Sequence, residues 1–167
     1  MRWNAWAAPP HLALEISKME VDLPDVLAEV TAQFARYEAA LVSNDVAVLD
    51  ELFRADPRTL RYGIGENLYG YDAIMAFRAA RSPVGLMRST AQTVISSYGR
   101  DAAVASTLFY RDALPGRVGR QMQTWVRFPE GWKIVAAHVS IIDDPESSKE
   151  SSKQSSKEFS KDMGQKT

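Results

Sequence analysis

Residues 121–142 read QMQTWVRFPEGWKIVAAHVSII. Aromatic and β-branched residues dominate both halves of this stretch, and Pro129-Glu130-Gly131 between them has the composition of a hairpin turn. We therefore predict two paired strands, over 121–128 and 132–142. Strict alternation gives the second strand two largely apolar faces, one with Trp132, Ile134, Ala136, His138 and Ser140, the other with Val135, Ala137, Val139 and Ile141.

Two apolar faces on one strand need cover on both sides of the sheet. One face packs against helices of the same chain. The simplest cover for the second face is the same sheet of another copy. We therefore expect a homodimer formed through Val135, Ala137, Val139 and Ile141.

The pattern upstream predicts the remaining elements. Val26, Val30, Phe34, Tyr37 and Leu41 recur at helical spacing and indicate a first helix, with Asp22 as its N-cap and Pro24 in its first turn. Shorter helices are predicted over 45–53 and 71–81, short strands over 59–63 and 67–70, and longer strands over 88–98 and 102–111. Because the helices are segregated from the long strands, the fold class is α+β.

Composition divides the chain into three parts. Residues 1–20 form an N-terminal extension with two tryptophans and two prolines, and residues 21–143 carry the periodicity of a folded pocket domain. Residues 144–167 form a tail rich in serine and lysine, which has too little apolar surface to offset the entropy of ordering, so we predict disorder there.

Charge and residue usage exclude several functions. The net charge of −1 gives no electrostatic footprint for nucleic acid, and no apolar run is long enough to span a membrane. The sequence has no cysteine, which fits a cytoplasmic protein, and only two histidines without zinc-site spacing. No glycine-rich nucleotide loop is present. We therefore expect neither a metal nor a cofactor.

Several segments carry a resemblance to a known family. They are residues 23–30 (LPDVLAEV), 41–49 (LVSNDVAVL), 61–63 (RYG) with 66–70 (ENLYG), 77–81 (FRAAR) and 119–127 (GRQMQTWVR). In this order they resemble the AtzH/HpxZ-like family of the nuclear transport factor two-like, SnoaL-like superfamily. The resemblance spans residues 21–142 and implies a cone-shaped fold, with three N-terminal helices packed on a curved antiparallel sheet.

The resemblance also implies an activity. One branch of the family decarboxylates 1,3-dicarboxyurea to allophanate in cyanuric acid breakdown, and another belongs to oxalurate catabolism. The catalytic tyrosine and arginine of the first branch correspond here to Tyr37 and Arg61. The expected substrate is a small anionic ureido compound, processed by decarboxylation or hydrolysis. A non-catalytic ligand-binding domain, or an accessory to a neighbouring amidase, stays open because the fold serves both roles.

Each candidate residue also has a purely structural interpretation. Tyr37 is either a core tyrosine or a hydrogen-bond donor to substrate, and Arg61 is either a solvated arginine on an edge strand or a two-pronged carboxylate clamp. His138, Arg81 and Gln123 are candidate substrate-binding residues. His138 is otherwise a hydrogen-bonded core histidine, and Arg81 a cation favoured by a helix C-terminus.

Overall fold

The computed structural model describes residues 19–145, so most of the predicted extension and tail, residues 1–18 and 146–167, lies outside the described part. The α+β class is confirmed, with three helices on one six-stranded sheet. The elements are α1 (Pro24–Ser43), α2 (Val46–Leu52), β1 (Leu60–Tyr62), β2 (Asn67–Tyr69), α3 (Tyr71–Ala80), β3 (Ser89–Tyr98), β4 (Ala102–Tyr110), β5 (Arg117–Phe128) and β6 (Gly131–Asp143). Within residues 19–145 no helix has the length and apolarity to cross a membrane.

The sheet has the strand order β2-β1-β6-β5-β4-β3. Strands β3 to β6 form the predicted antiparallel meander. The expectation of a wholly antiparallel sheet is wrong at one place, because β1 runs parallel to β6 with Arg61 opposite Ala137. A parallel pair needs a long crossover, and here β2, α3 and strands β3 to β5 lie between the two paired strands in the chain.

The start of α1 differs from the prediction. Asp22 has a positive φ of 59° and is not the N-cap, a position held by Leu23. The Asp22 carboxylate instead accepts a hydrogen bond of 2.9 Å from the backbone N–H of Ser97, and the Asp22 N–H donates to the Ser97 carbonyl at 3.1 Å. Asp22 therefore links the segment that precedes α1 to strand β3 by two hydrogen bonds. Asp45 does cap α2, accepting from the Val48 N–H at 3.1 Å.

The core lies between α1 and the inner face of the sheet. The predicted apolar face of α1 is buried from Val26 to Leu41. It shares one cluster with Trp125, Trp132 and Ile134 of the last two strands. Burial of large apolar side chains dominates folding energetics, so this cluster is the main source of stability.

A β-bulge in β6 overturns the predicted division of its faces. Trp125 pairs with Ile134 and Thr124 with Ala136, which leaves Val135 as an extra residue without a partner. An extra residue reverses the alternation beyond it. Ala137 and Val139 therefore point inward, with 5% and 7% of their surfaces exposed, and the proposed dimer face does not exist as predicted.

Candidate functional site

A cavity of about 310 Å³ opens at one end of the inner sheet face. Its walls are the C-terminal half of α1, the hairpin between β1 and β2, and the segments that follow α3 and β4. Gln121 and Val139 of the sheet form its floor. This volume suits a compound of low molecular mass.

Tyr37 reaches the cavity from α1. Only 4% of its surface is exposed, and its ring lies 6.5 Å from the ring of Phe53, centroid to centroid. Across residues 19–145 its hydroxyl has no hydrogen-bond partner, although Tyr37 lines the cavity. The hydroxyl is not one of the fully buried side-chain atoms that lack a partner, so it faces the open cavity and is available to a ligand.

Arg61 enters the same cavity from β1. Its side chain is 13% exposed and forms an ion pair with Glu66, so the alternative of a solvated arginine is excluded. The guanidinium carbon also lies 5.3 Å from the ring centroid of Phe77. The register with Ala137 turns Arg61 inward and Tyr62 outward. Since only Nη1 of Arg61 contacts Glu66, its other edge is free to contact a ligand.

Glu66 lies on the hairpin between β1 and β2. Its Oε1 accepts from Arg61, and its Oε2 accepts from the Gly65 N–H at 3.2 Å. The side chain folds directly over Gly63, where an added Cβ would overlap the carboxylate. Glycine at position 63 therefore makes the Arg61 to Glu66 contact sterically feasible. Sequence reasoning missed Glu66, although it belongs to the quoted ENLYG segment.

Arg88 lies at the base of the cavity in a hydrogen-bonded network with Glu38 and Gln121. Its Nε and Nη2 donate to the Glu38 carboxylate at 3.0 and 2.6 Å. Gln121 completes the triangle, accepting from Arg88 and donating to Glu38, each at 2.9 Å. Bidentate arginine contacts of this kind fix orientation as well as charge. Arg88 thus braces α1 against β5, a contact that no sequence motif indicated.

Two further arginines, Arg81 and Arg111, line the cavity without a carboxylate partner among the described residues. Burial lowers the pKa of Arg81; Tyr37 raises that pKa, while nearby Arg61, Arg78 and Arg111 lower it further. Burial, followed by repulsion from Arg88, also lowers the pKa of Arg111. The electrostatic character of the cavity is therefore cationic.

The structure leaves two predicted site residues outside this cavity. Gln123 is almost completely buried, and its Oε1 accepts from the Trp125 indole N–H at 3.2 Å. Its neighbour on the same strand face, Gln121, lines the cavity instead. His138 points to the opposite side of the sheet because of the bulge, with its ring 6.2 Å from that of Tyr62.

Metal ligation has no geometric support in the described residues. No group of three or more histidine, aspartate or glutamate side chains between residues 19 and 145 is arranged to hold a metal ion. The groups that can act chemically in the cavity are the Tyr37 hydroxyl, the Glu66 carboxylate and the guanidiniums. Such a set can bind an anion, orient it and exchange a proton with it.

Comparison with known protein families gives a match over residues 19–145 to the AtzH-like family. The chain belongs to the AtzH-like family. A crystal structure of a protein of unknown function from Pectobacterium atrosepticum is 62% identical, with a TM-score of 0.72 over 74% of this chain and 95% of that one. No curated protein matches the sequence.

Two other solved structures confirm the fold of this AtzH-like protein. A cystatin-like fold protein from Burkholderia xenovorans is 50% identical, with a TM-score of 0.73 over 76% of this chain and 99% of that chain. A nuclear transport factor two-like superfamily protein from Salmonella enterica is 25% identical, with a TM-score of 0.59 over 72% and 94%. The family and the fold identify a small-molecule-binding domain.

Proposed function

We propose that this AtzH-like protein decarboxylates a small ureido carboxylate without a cofactor, in the cytoplasm, with 1,3-dicarboxyurea as the first candidate substrate and an oxalurate-related compound as the second. The observation that carries the proposal is that the unpartnered Tyr37 hydroxyl and the Arg61 guanidinium line one small cavity. The resemblance to the branch that acts on 1,3-dicarboxyurea implies catalytic roles for the same two residues, which supports the proposal.

The reaction balances without an oxidant or a reductant. In 1,3-dicarboxyurea the bond between a carboxylate carbon and its urea nitrogen breaks, and the carboxylate leaves as carbon dioxide. The bonding electrons stay on the nitrogen, which takes one proton and gives allophanate. Tyr37 supplies that proton or hydrogen-bonds to the urea carbonyl oxygen as charge develops, and water restores the proton.

Arg61 holds and orients the anion in this scheme. The edge of its guanidinium that does not face Glu66 binds a carboxylate by two parallel hydrogen bonds, a planar contact that a lysine cannot reproduce. Glu66 fixes the position of Arg61 from the other edge. A substrate held in one orientation spends more time in the reactive geometry, which lowers the entropic part of the barrier.

The test is a direct assay of both candidate substrates. Purified full-length protein is incubated with 1,3-dicarboxyurea and with oxalurate, and the release of carbon dioxide and ammonia is followed. Release of carbon dioxide from 1,3-dicarboxyurea that is about a hundredfold slower in Tyr37→Phe supports the proposal. Binding of both compounds without turnover contradicts it, and favours the non-catalytic role as a ligand-binding or amidase-accessory domain.

We also propose a homodimer, formed through the outer face of the sheet instead of the face first predicted. Val94, Ser106, Met122 and His138 lie side by side in one row across β3 to β6. Val94, on the edge strand β3, and Met122, on the interior strand β5, are 59% and 55% exposed, and exposed apolar residues in one row of a sheet face are typical of an interaction surface. Light scattering at micromolar concentration tests this, with a dimer expected for the wild type and a monomer for Met122→Asp.

A further inference from the structure

The four arginines that line the cavity fall into two classes. Arg61 and Arg88 each contact a carboxylate, from Glu66 and Glu38 respectively. Arg81 and Arg111 contact none within residues 19–145. Four guanidiniums and two carboxylates leave an excess of two positive charges in one small open cavity.

Arg81 is only partly satisfied by its surroundings. It is the first residue after α3, and its Nη2 donates to the side-chain oxygen of Asn44 at 2.9 Å. Its Nε is buried and has no acceptor. A neutral amide does not compensate a full charge, and a buried donor without a partner is uncommon in folded proteins.

Arg111 is less satisfied still. It follows the last residue of β4, and its Nε is likewise buried without an acceptor. Its guanidinium carbon lies 5.4 Å from the ring centroid of Phe109, and that of Arg88 lies 4.5 Å from the same ring. The Phe109 ring packs closely against Gly119, where an added Cβ would overlap the ring, and this packing holds the ring in position. Arg111 is thus positioned without being neutralised.

A half-buried guanidinium without a counter-ion is less stable than a solvated one, and Arg81 and Arg111 also repel one another. The arrangement is consistent with a site whose counter-ion arrives with the ligand. We infer that Arg81 and Arg111 form an anion subsite, which binds one carboxylate of a small dianion while Arg61 binds the other.

This inference rests on the proposed function only in that it concerns the same cavity. It narrows the substrate class, since 1,3-dicarboxyurea carries two carboxylates and oxalurate only one. It also assigns a role to Arg111, which no sequence feature singled out. Binding to the subsite does not require the Tyr37 chemistry, so the two ideas are separable by experiment.

A pair of unreactive probes tests the subsite directly. Malonate carries two carboxylates, and its monoamide, malonamate, has nearly the same shape with one carboxylate. Neither has an N-carboxylate to lose. Titration calorimetry at about pH 8, where both malonate carboxylates are ionised, compares the two probes on full-length wild-type protein, Arg111→Gln and Arg81→Gln. Arg58→Gln is the control, because Arg58 is exposed and outside the cavity.

We expect the wild type and Arg58→Gln to bind malonate about thirtyfold more tightly than malonamate. In Arg111→Gln and Arg81→Gln this preference falls to about threefold, while the affinity for malonamate stays nearly the same. A preference above tenfold in both variants overturns the inference. So does a wild type that fails to bind malonate at millimolar concentration.

Thermal unfolding separates loss of the subsite from loss of the fold. Without ligand, Arg111→Gln is expected to unfold at or above the wild-type temperature, because it removes a half-buried charge that has no counter-ion among the described residues. Malonate should raise the wild-type midpoint and leave that of the variant almost unchanged. Should Arg111→Gln prove unstable, Arg111→Lys keeps the charge without the planar fork and is expected to show an intermediate preference. Malonate selectivity without carbon dioxide release would contradict the proposed function and leave this inference standing.

Discussion

The two ends of the inner sheet face differ in character although the same elements build both. At one end the N-terminal half of α1 covers Trp125, Trp132 and Ile134, and the Trp132 indole N–H donates to Glu29 at 2.9 Å. At the other end the C-terminal half of α1 covers Gln121 and Val139, and a cavity remains between them. The first end is solid core, and the second end holds a binding site.

The transition between the two ends can be followed along β5. The inward side chains change from Trp125 through Gln123 to Gln121, and all three are buried. Gln123 lies at the boundary, with its Nε2 buried and without a partner. Polar residues on the buried face of β5 therefore mark the position where the packed core ends and the binding site begins. The four variants below test that division.

The largest expected effect is at the solid end. Trp125→Ala removes a fully buried indole and should lower the free energy of unfolding by about 4 kcal/mol. Chemical denaturation measures it. The matched control is Met87→Ala, in the segment between α3 and β3 and 72% exposed, which should change stability by no more than about 0.5 kcal/mol. Equal losses in the two variants would contradict the placement of Trp125 in the core.

At the cavity end, Arg61→Lys should leave stability nearly unchanged and raise the activation barrier for turnover by about 3.5 kcal/mol. The lysine keeps the charge but loses the planar two-pronged contact. Steady-state kinetics with 1,3-dicarboxyurea, checked by circular dichroism, measure the effect. Arg58→Lys, an exposed control, should behave like the wild type. Normal turnover in Arg61→Lys would remove Arg61 from the mechanism.

Tyr37→Phe should slow turnover about a hundredfold, which corresponds to about 3 kcal/mol for the loss of one preorganised donor. The effect on KM should be smaller, because the ring and its contact with Phe53 remain. Separate determination of kcat and KM provides the measurement. Near-normal turnover in both Tyr37→Phe and Arg61→Lys would favour the role as a non-catalytic ligand-binding or accessory domain over the enzymatic role.

Glu66→Gln should have the smallest effect, a loss of about tenfold in kcat, or about 1.4 kcal/mol. The amide keeps the shape of the side chain but loses the charge-assisted contact that holds Arg61. Glu51→Gln is a matched control, because Glu51 pairs with Arg36 at the protein surface. Equal activity of the two variants would show that Glu66 does not position Arg61.

Local pattern predicted the elements of the fold well. All three helices and all six strands between residues 19 and 145 follow from spacing, β-branched content and turn residues, because those signals act within a few positions along the chain. The errors occur where a distant partner decides. Asp22 bonds to Ser97 instead of capping α1, and β5 begins at Arg117 because its first residues pair with the end of β6.

No residue pattern near Val135 predicts the β-bulge at this position. Valine is as apolar as its neighbours, so strict alternation was the natural interpretation, and it placed His138 inside and Val139 outside. Only the register against β5 reveals the extra residue. A shift of one residue exchanges the two faces of a strand. The predicted dimer surface and the expected position of His138 were both lost for this one reason.

By itself, the sequence determined the α+β class, the family, the absence of cysteine chemistry and the inward face of α1, including Tyr37. Tertiary structure alone decided that Arg61 faces inward and that Glu38, Arg88 and Gln121 meet at the base of the cavity. The physical reason is the distance along the chain over which each kind of signal acts. Helix and strand periodicities act over two to four positions, whereas Gln121 and Glu38, 83 positions apart, are joined by a hydrogen bond only once α1 packs on the sheet.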